Sequence, residues 1–205
     1  MADSSARSDP SPQMQDRRAW YDAQDLLSAV GVKVGSVCVD LGCGTGEFAF
    51  LLAQAVGKTG RVYAVDASVT SLDLLKLKKP GANIVTLRAE LSDTRLPAGV
   101  CDLVLMPFSL SGTRDAGATL AEAARLLKPD GRLAVFEWRP VSPPPGPPID
   151  RRLRSDRVQR LMEANGFTAI QRLREGAVYY TLLAHKGKAP APTARPPAPP
   201  RPVRR

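Results

Sequence analysis

The stretch Val39-Asp-Leu-Gly-Cys-Gly-Thr-Gly-Glu47 constrains this chain more than any other part of it. The apolar run Val37–Leu41 leads into it, and Glu47–Val56, helical in composition, leads out. Three glycines at 42, 44 and 46 allow a sharp turn and let a ligand approach the backbone with no Cβ between. A helix starting there presents unpaired N–H groups. Asp66 stands twenty residues past Gly46, after the strand-like run Arg61–Val65. A carboxylate in that place can accept both hydroxyls of a ribose. Turn and acid together specify a nucleoside-containing cofactor.

The charges narrow the choice. The dinucleotide pattern is G-x-G-x-x-G, but here the spacing is G-x-G-x-G, and Glu47 follows. Asp40 lies beside the loop. A negative charge there suits a sulfonium and an amino group better than a pyrophosphate, which favours S-adenosylmethionine over NAD.

The rest of the chain alternates strands and helices. Asp22–Val30 reads as a helix, and Ser68 caps another that runs to Lys78. Asn83–Leu87 and Cys101–Met106 read as strands. Ala116–Leu127 is an alanine- and leucine-rich helix closed by the turn sequence Lys128-Pro-Asp-Gly131, and Arg132–Trp138 is a fifth strand. Ser155 caps a helix that reaches Asn165, and Gly166 ends it. Phe167–Leu173 and Val178–His185 form a late strand pair. Such alternation predicts an α/β fold, a largely parallel sheet with helices on both faces.

Composition sets the limits. The length of 205 residues suits one α/β domain, and 43% hydrophobic residues suffice for a core. Residues 1–16 are polar and read as a disordered leader; 17–185 form the domain; 186–205 form a disordered Pro/Ala/Arg-rich tail with seven prolines. The tail carries six of the basic groups and no acid, and the leader nets −2, so of the net charge of +9 the domain itself holds only +5. A nucleic-acid groove is therefore not expected, apart from weak tail contacts. The longest apolar stretch, Phe48–Val56, is too short to span a membrane, and no signal-peptide core is present. Cys38, Cys43 and Cys101 are isolated and His185 is the only histidine, so neither a disulfide framework nor a metal site is expected. A reducing, cytoplasmic compartment fits best.

Asp40-Leu-Gly-Cys-Gly-Thr-Gly46 followed by Ala64-Val-Asp66 resembles the first motifs of class I S-adenosylmethionine-dependent methyltransferases. Leu96-Pro-Ala-Gly-Val-Cys-Asp102-Leu-Val-Leu105, Leu126-Leu-Lys-Pro-Asp-Gly-Arg-Leu-Ala-Val135 and Gly166-Phe167 continue the likeness in the family's order, over roughly residues 20–185. The small type 11 group, related to the quinone-biosynthesis methyltransferases, is most similar. The resemblance implies a Rossmann-like, seven-stranded, mostly parallel sheet with an antiparallel last strand.

It also implies roles. Gly42, Cys43, Gly44 and Gly46 would line the methionine part of the cofactor, Asp40 would orient the loop, Asp66 would bind the ribose and Ala67 would flank the adenine. Glu90, with Asp93 as the alternative, would reach the adenine amino group. Asp102 reads as structural. Trp20, Tyr21, Phe108, Trp138 and Tyr180, with Tyr179, are candidate acceptor-pocket walls; core packing is the competing reading for each. No catalytic base is assigned, because the cofactor carries the activation. Met106-Pro-Phe108-Ser lacks the polar residue and second proline of nucleic-acid amino methyltransferases. A small-molecule acceptor is the first reading. Two others stay open: a protein or RNA methyltransferase helped by the basic tail, and a catalytically silent cofactor-binding interaction module.

Overall fold

The computed structural model describes residues 20–141 and 146–187. The leader 1–16, residues 142–145 of the proline-rich run 140–148, and the tail from 188 onward lie outside them.

Seven strands form one sheet in the order β3-β2-β1-β4-β5-β7-β6. They are β1 (Val37–Leu41), β2 (Arg61–Asp66), β3 (Ile84–Arg88), β4 (Cys101–Pro107), β5 (Leu127–Trp138), β6 (Phe167–Glu175) and β7 (Tyr179–Lys186). The pairs among β1 to β5 are all parallel, and β7 runs antiparallel to both its neighbours. Strands β1 and β4 are apolar at nearly every position because both their faces are covered.

The two apolar clusters are the two faces of the sheet. On one, Leu26, Leu27 and Val30 of α1 (Ala23–Val30), Phe48, Leu52 and Val56 of α2 (Glu47–Val56), and Leu72 and Leu75 of α3 (Val69–Leu77) pack on Cys38, Leu103, Leu105 and Phe136. On the other, Leu120, Ala123 and Leu126 of α4 (Ala116–Leu126) and Val158 and Met162 of α5 (Ser155–Ala164) pack on Val39, Val104, Met106, Leu133 and Val135. Helices therefore cover both faces, with the sheet the sequence predicts between them.

Most elements lie where the periodicity places them, and β1 and α2 have the expected bounds. Three differ. Strand β5 begins at Leu127, which pairs with Cys101; the register then jumps to Leu103 opposite Arg132, so Lys128–Gly131 is bulged out of the strand rather than preceding it. Asp130 takes a positive φ of 65° within that bulge. Ser155 is the first residue of α5 and not its cap, since Arg154 holds the N-cap position, with no side-chain cap bond. The Ser155 hydroxyl instead accepts from Arg172 at 2.9 Å. Strand β7 extends through Lys186, whose Nζ donates to the Leu127 carbonyl at 2.6 Å.

Asp102 has the structural role. It stands at the amino end of β4, accepting from the Val37 N–H and from Lys128 Nζ, both at 2.8 Å. Burial would raise its carboxyl, but Lys128 and the Val37 N–H outweigh that and hold it below the usual range. Among the described residues no helix is long and apolar enough to cross a membrane.

Candidate functional site

The glycine turn joins the carboxyl end of β1 to the start of α2. Gly42 and Gly46 have φ of 91° and Gly44 of 53°. The first and last are glycine because of crowding. A Cβ on Gly42 would lie 2.4 Å from the Ser109 Cβ, and one on Gly46 would lie 2.8 Å from Leu75 Cγ. Gly44 is different: a Cβ there would meet nothing within 4 Å. Its side of the loop faces open space, as a backbone that takes a ligand should. Two contacts outside the motif fix the turn. The Ser109 hydroxyl donates to the Leu41 carbonyl, and Lys78 Nζ donates to the Thr45 carbonyl, both at 2.7 Å.

Asp66 ends β2 beside this turn. Its carboxylate accepts from the Gly44 N–H and the Ser68 N–H, each at 2.8 Å. It thus ties the glycine loop to the start of α3. The remaining lone pairs of the two oxygens stay available to hydroxyl donors. From Asp66 an open groove runs along Ala67, Leu87, Arg88, Ala89, Glu90 and Asp93. Both Glu90 and Asp93 therefore line the same groove as Ala67. Its floor is held from α4: Glu122, buried, accepts from the Thr94 N–H at 2.9 Å and from the Thr94 hydroxyl at 2.5 Å.

Asp40 is the electrostatic centre of the site. It is fully buried in β1, and neither carboxylate oxygen has a hydrogen-bond partner among the described residues. Burial pushes its carboxyl up to about 8, with the charge of Asp66 adding to the rise. The N–H of Ala49, in the first turn of α2, works against this but does not reach hydrogen-bond geometry. An orphaned carboxylate of this kind is rare in folded proteins and implies a missing donor.

Cys43 contributes backbone only. Its side chain is buried, its thiol sits against the Gly44 carbonyl at 3.6 Å, and burial raises its pKa beyond any nucleophilic use. Burial also pushes the Cys38 thiol up, to about 12, so it is a core residue.

Three of the five acceptor candidates come together. Phe108 stacks on Tyr21 and on Trp138, with ring centroids 4.6 and 4.5 Å apart, and Phe48 and Phe136 complete the cluster. Tyr21 donates its hydroxyl to Glu47 Oε2 at 2.8 Å, which sets the cluster against the start of α2. Phe108 is held at a φ of 57°, unusual for a bulky residue, with its N–H bonded to the Phe136 carbonyl at 2.7 Å. Trp138 is also covered by the proline segment, because Gly146 packs so close that a Cβ there would lie 2.9 Å from the indole.

Two candidates do not join. Trp20 is 37% exposed and forms no part of the ring cluster. Tyr180 faces the opposite side of the sheet, where its hydroxyl donates to the Leu153 carbonyl at 2.9 Å. The antiparallel register explains this: Tyr179 is opposite Trp138, whereas Tyr180 is opposite Glu137. Glu137, in turn, belongs with Trp138 to the motif likeness, but the sequence alone assigns it no role. It is fully buried, and its carboxylate accepts from the Ser111 N–H at 2.9 Å and the Ser111 hydroxyl at 2.8 Å. Burial raises its pKa, and those donors oppose the rise.

Comparison with known proteins agrees with this geometry. Residues 39–135 match the family model described as a methyltransferase domain. The chain is 34% identical over 125 residues to a 2-phytyl-1,4-naphtoquinone methyltransferase of Trichormus variabilis, a match covering 59% of this chain and 54% of that protein. It is 36% identical over 117 residues to a demethylmenaquinone methyltransferase of Lactobacillus johnsonii, covering 55% and 48%. The chain thus spans about half the length of these curated relatives. A crystal structure of a SAM dependent methyltransferase from Aquifex aeolicus superposes with a TM-score of 0.78 at 26% identity, covering 87% of this chain and 98% of that one. The fold is therefore the class I methyltransferase fold, and the matched stretch 39–135 contains Asp40, the glycine turn, Asp66 and Phe108.

Proposed function

We propose that this chain binds S-adenosylmethionine in the groove from Asp40 to Glu90 and transfers its methyl group to a small-molecule acceptor. The observation that carries the reading is the buried, unpartnered Asp40 carboxylate, two residues before a glycine turn whose Gly44 faces open space. A ligand with a cationic sulfonium and an amino group supplies both the donor and the opposite charge that this carboxylate lacks. Asp66 holds the ribose, Ala67 flanks the adenine and Glu90 reaches its amino group. Gly42, Gly44 and Gly46 let the backbone follow the methionine part.

The bound cofactor supplies an activated methyl group that leaves a sulfonium in an in-line displacement. The protein aligns the acceptor and keeps water out. The Tyr21–Phe108–Trp138 cluster lies at the carboxyl ends of β4 and β5, where ligands of open α/β sheets sit, and its rings are buried in the core, so it would form the apolar floor beneath an acceptor. The quinone methyltransferases that this chain resembles support an acceptor with an aromatic ring. No side chain here is assigned as a base.

Calorimetric titration with S-adenosylmethionine and S-adenosylhomocysteine tests the reading. Saturable binding by the wild type, lost in Asp66→Ala, is expected. Absence of binding by folded wild-type protein would overturn it. Methyl transfer to quinone-ring acceptors, monitored by formation of S-adenosylhomocysteine, tests the acceptor class.

A further inference from the structure

A second pocket opens at the carboxyl end of β4, and it has no counterpart in the motifs. It is lined by Leu110, Ser111, Gly112, Thr113, Arg114 and Ala116 on one side, and by Arg151, Leu153 and Arg157 on the other. Three arginines converge there from three places: the loop after β4, the 3-10 turn Ile149–Arg151, and the first turn of α5. No acid lines the pocket. Among the described residues none of the three makes an ion pair or a side-chain hydrogen bond.

Their neighbours are treated differently. Arg154 and Arg160 share Asp156, at 3.2 and 3.1 Å. Arg172 and Arg139 share Glu175, at 2.7 and 4.0 Å. Arg174 reaches Asp25 at 3.3 Å. Asp115, the acid next to Arg114, has one carboxylate oxygen engaged by the Ala118 N–H as the cap of α4. Three like charges around one concavity repel one another unless an anion sits between them. Ala116 is the first residue of α4, so the positive end of that helix adds to the same field.

The walls are rigid as well as charged. Glu137 fixes Ser111 by two hydrogen bonds, the Thr113 hydroxyl donates to the Leu110 carbonyl at 2.7 Å, and Tyr180 holds the Leu153 carbonyl. The three arginine side chains themselves are exposed, so their guanidinium groups can swing over this backbone frame to form paired hydrogen bonds to a planar or tetrahedral oxyanion.

We propose that Arg114, Arg151 and Arg157 form a binding pocket for the oxyanion group, phosphate or carboxylate, of a small-molecule ligand. The proposal stands independently of methyl transfer. The pocket's place follows from Ser109, which rests on Gly42, and from the 3-10 turn that begins at the next residue. The oxyanion is thus anchored on the same rim of the sheet as the glycine loop.

The test uses the full chain at low ionic strength, with arginine side-chain Nε–Hε signals followed by NMR. Inorganic phosphate and acetate are titrated separately, against sodium chloride at matched ionic strength. Saturable shifts at Arg114, Arg151 and Arg157 with phosphate or acetate are expected; the stronger of the two identifies the group. Arg114→Gln and Arg157→Gln weaken binding at least tenfold, while Arg160→Gln, on the same helix but paired with Asp156, leaves it unchanged. Equal responses to chloride, or equal loss in Arg160→Gln, would overturn the proposal. Binding of S-adenosylhomocysteine to the same samples separates the two readings: its absence from wild type sinks the methyltransferase proposal and leaves the phosphate result intact.

Discussion

Asp40 and Glu137 are both fully buried carboxylates near the carboxyl ends of strands in one sheet, yet their surroundings differ in kind. Glu137 accepts from the Ser111 N–H and hydroxyl and from the Trp138 N–H. Asp40 has no such partner among the described residues. The first holds a loop in place. The second is left without a partner, and is held protonated up to about pH 8 until something from outside favours its ionised form. Burial of an acid therefore does not mark a binding site; burial without a donor does.

The sharpest way to break the comparison is to neutralise each acid in turn. Asp40→Asn is expected to weaken S-adenosylhomocysteine binding by at least about 30-fold, the scale of losing one partner of a buried charged contact. Glu137→Gln should change it less than about 3-fold, since the amide keeps an acceptor for Ser111. Similar losses in calorimetry would erase the distinction.

Stability should show the reverse order. Glu137→Ala leaves the Ser111 and Trp138 donors unpaired and opens a cavity, so denaturant unfolding should report a loss of about 2–4 kcal/mol. Asp40→Asn removes a buried, unsatisfied charge and should stabilise the ligand-free protein at alkaline pH.

The pH dependence sharpens this further. The folded-state value for Asp40 is raised to about 8, whereas an unfolded aspartate titrates near ~3.9. The folded protein then binds one more proton than the unfolded chain between those values. Stability falls as pH rises through that window, by up to about 1.4 kcal/mol per pH unit, and is flat above it. In Asp40→Asn this slope should vanish. Affinity for the cationic cofactor should rise over the same window, as the carboxylate ionises.

The glycines divide in the same manner. Gly46→Ala drives a methyl group into Leu75 at a positive φ and should cost about 1–3 kcal/mol of stability. Gly44→Ala meets open space, so its cost should be about 1 kcal/mol, from backbone strain alone, with the larger effect on cofactor affinity. The smallest effect is expected at the opposite end of the sheet. Lys128→Ala breaks a half-exposed ion pair with Asp102 and should lower stability by less than about 1 kcal/mol, with no change in binding.

Much of this was legible beforehand. Nearly unbroken apolar runs mark β1 and β4, and the glycine spacing marks the turn that the structure sets beside Asp66, because those signals are local. What escaped was non-local. The side of the sheet that Tyr179 or Tyr180 faces depends on the register of β7 against β5, and a shift of one residue reverses it. Lys128–Gly131 has the composition of a turn and is used as a bulge, because Leu127 finds Cys101 first. Glu137 lies in an apolar strand, and only the fold brings Ser111 to it, 26 residues away in sequence. The Arg114, Arg151 and Arg157 pocket likewise joins segments that no motif links.

The placement of β7 between β5 and β6 has a consequence for how the chain is made. Synthesis delivers β5, then β6, and last the strand that must sit between them. Until Lys186 has left the ribosome, both earlier strands lack the partner they have in the final sheet, and β5 presents an open edge. The amino-terminal half, β1 to β4 with the glycine turn, can pair in full before that moment. The nascent protein thus passes through a stage with the glycine turn in place and an unsealed flank, the interval in which it is most open to pairing with a neighbouring chain.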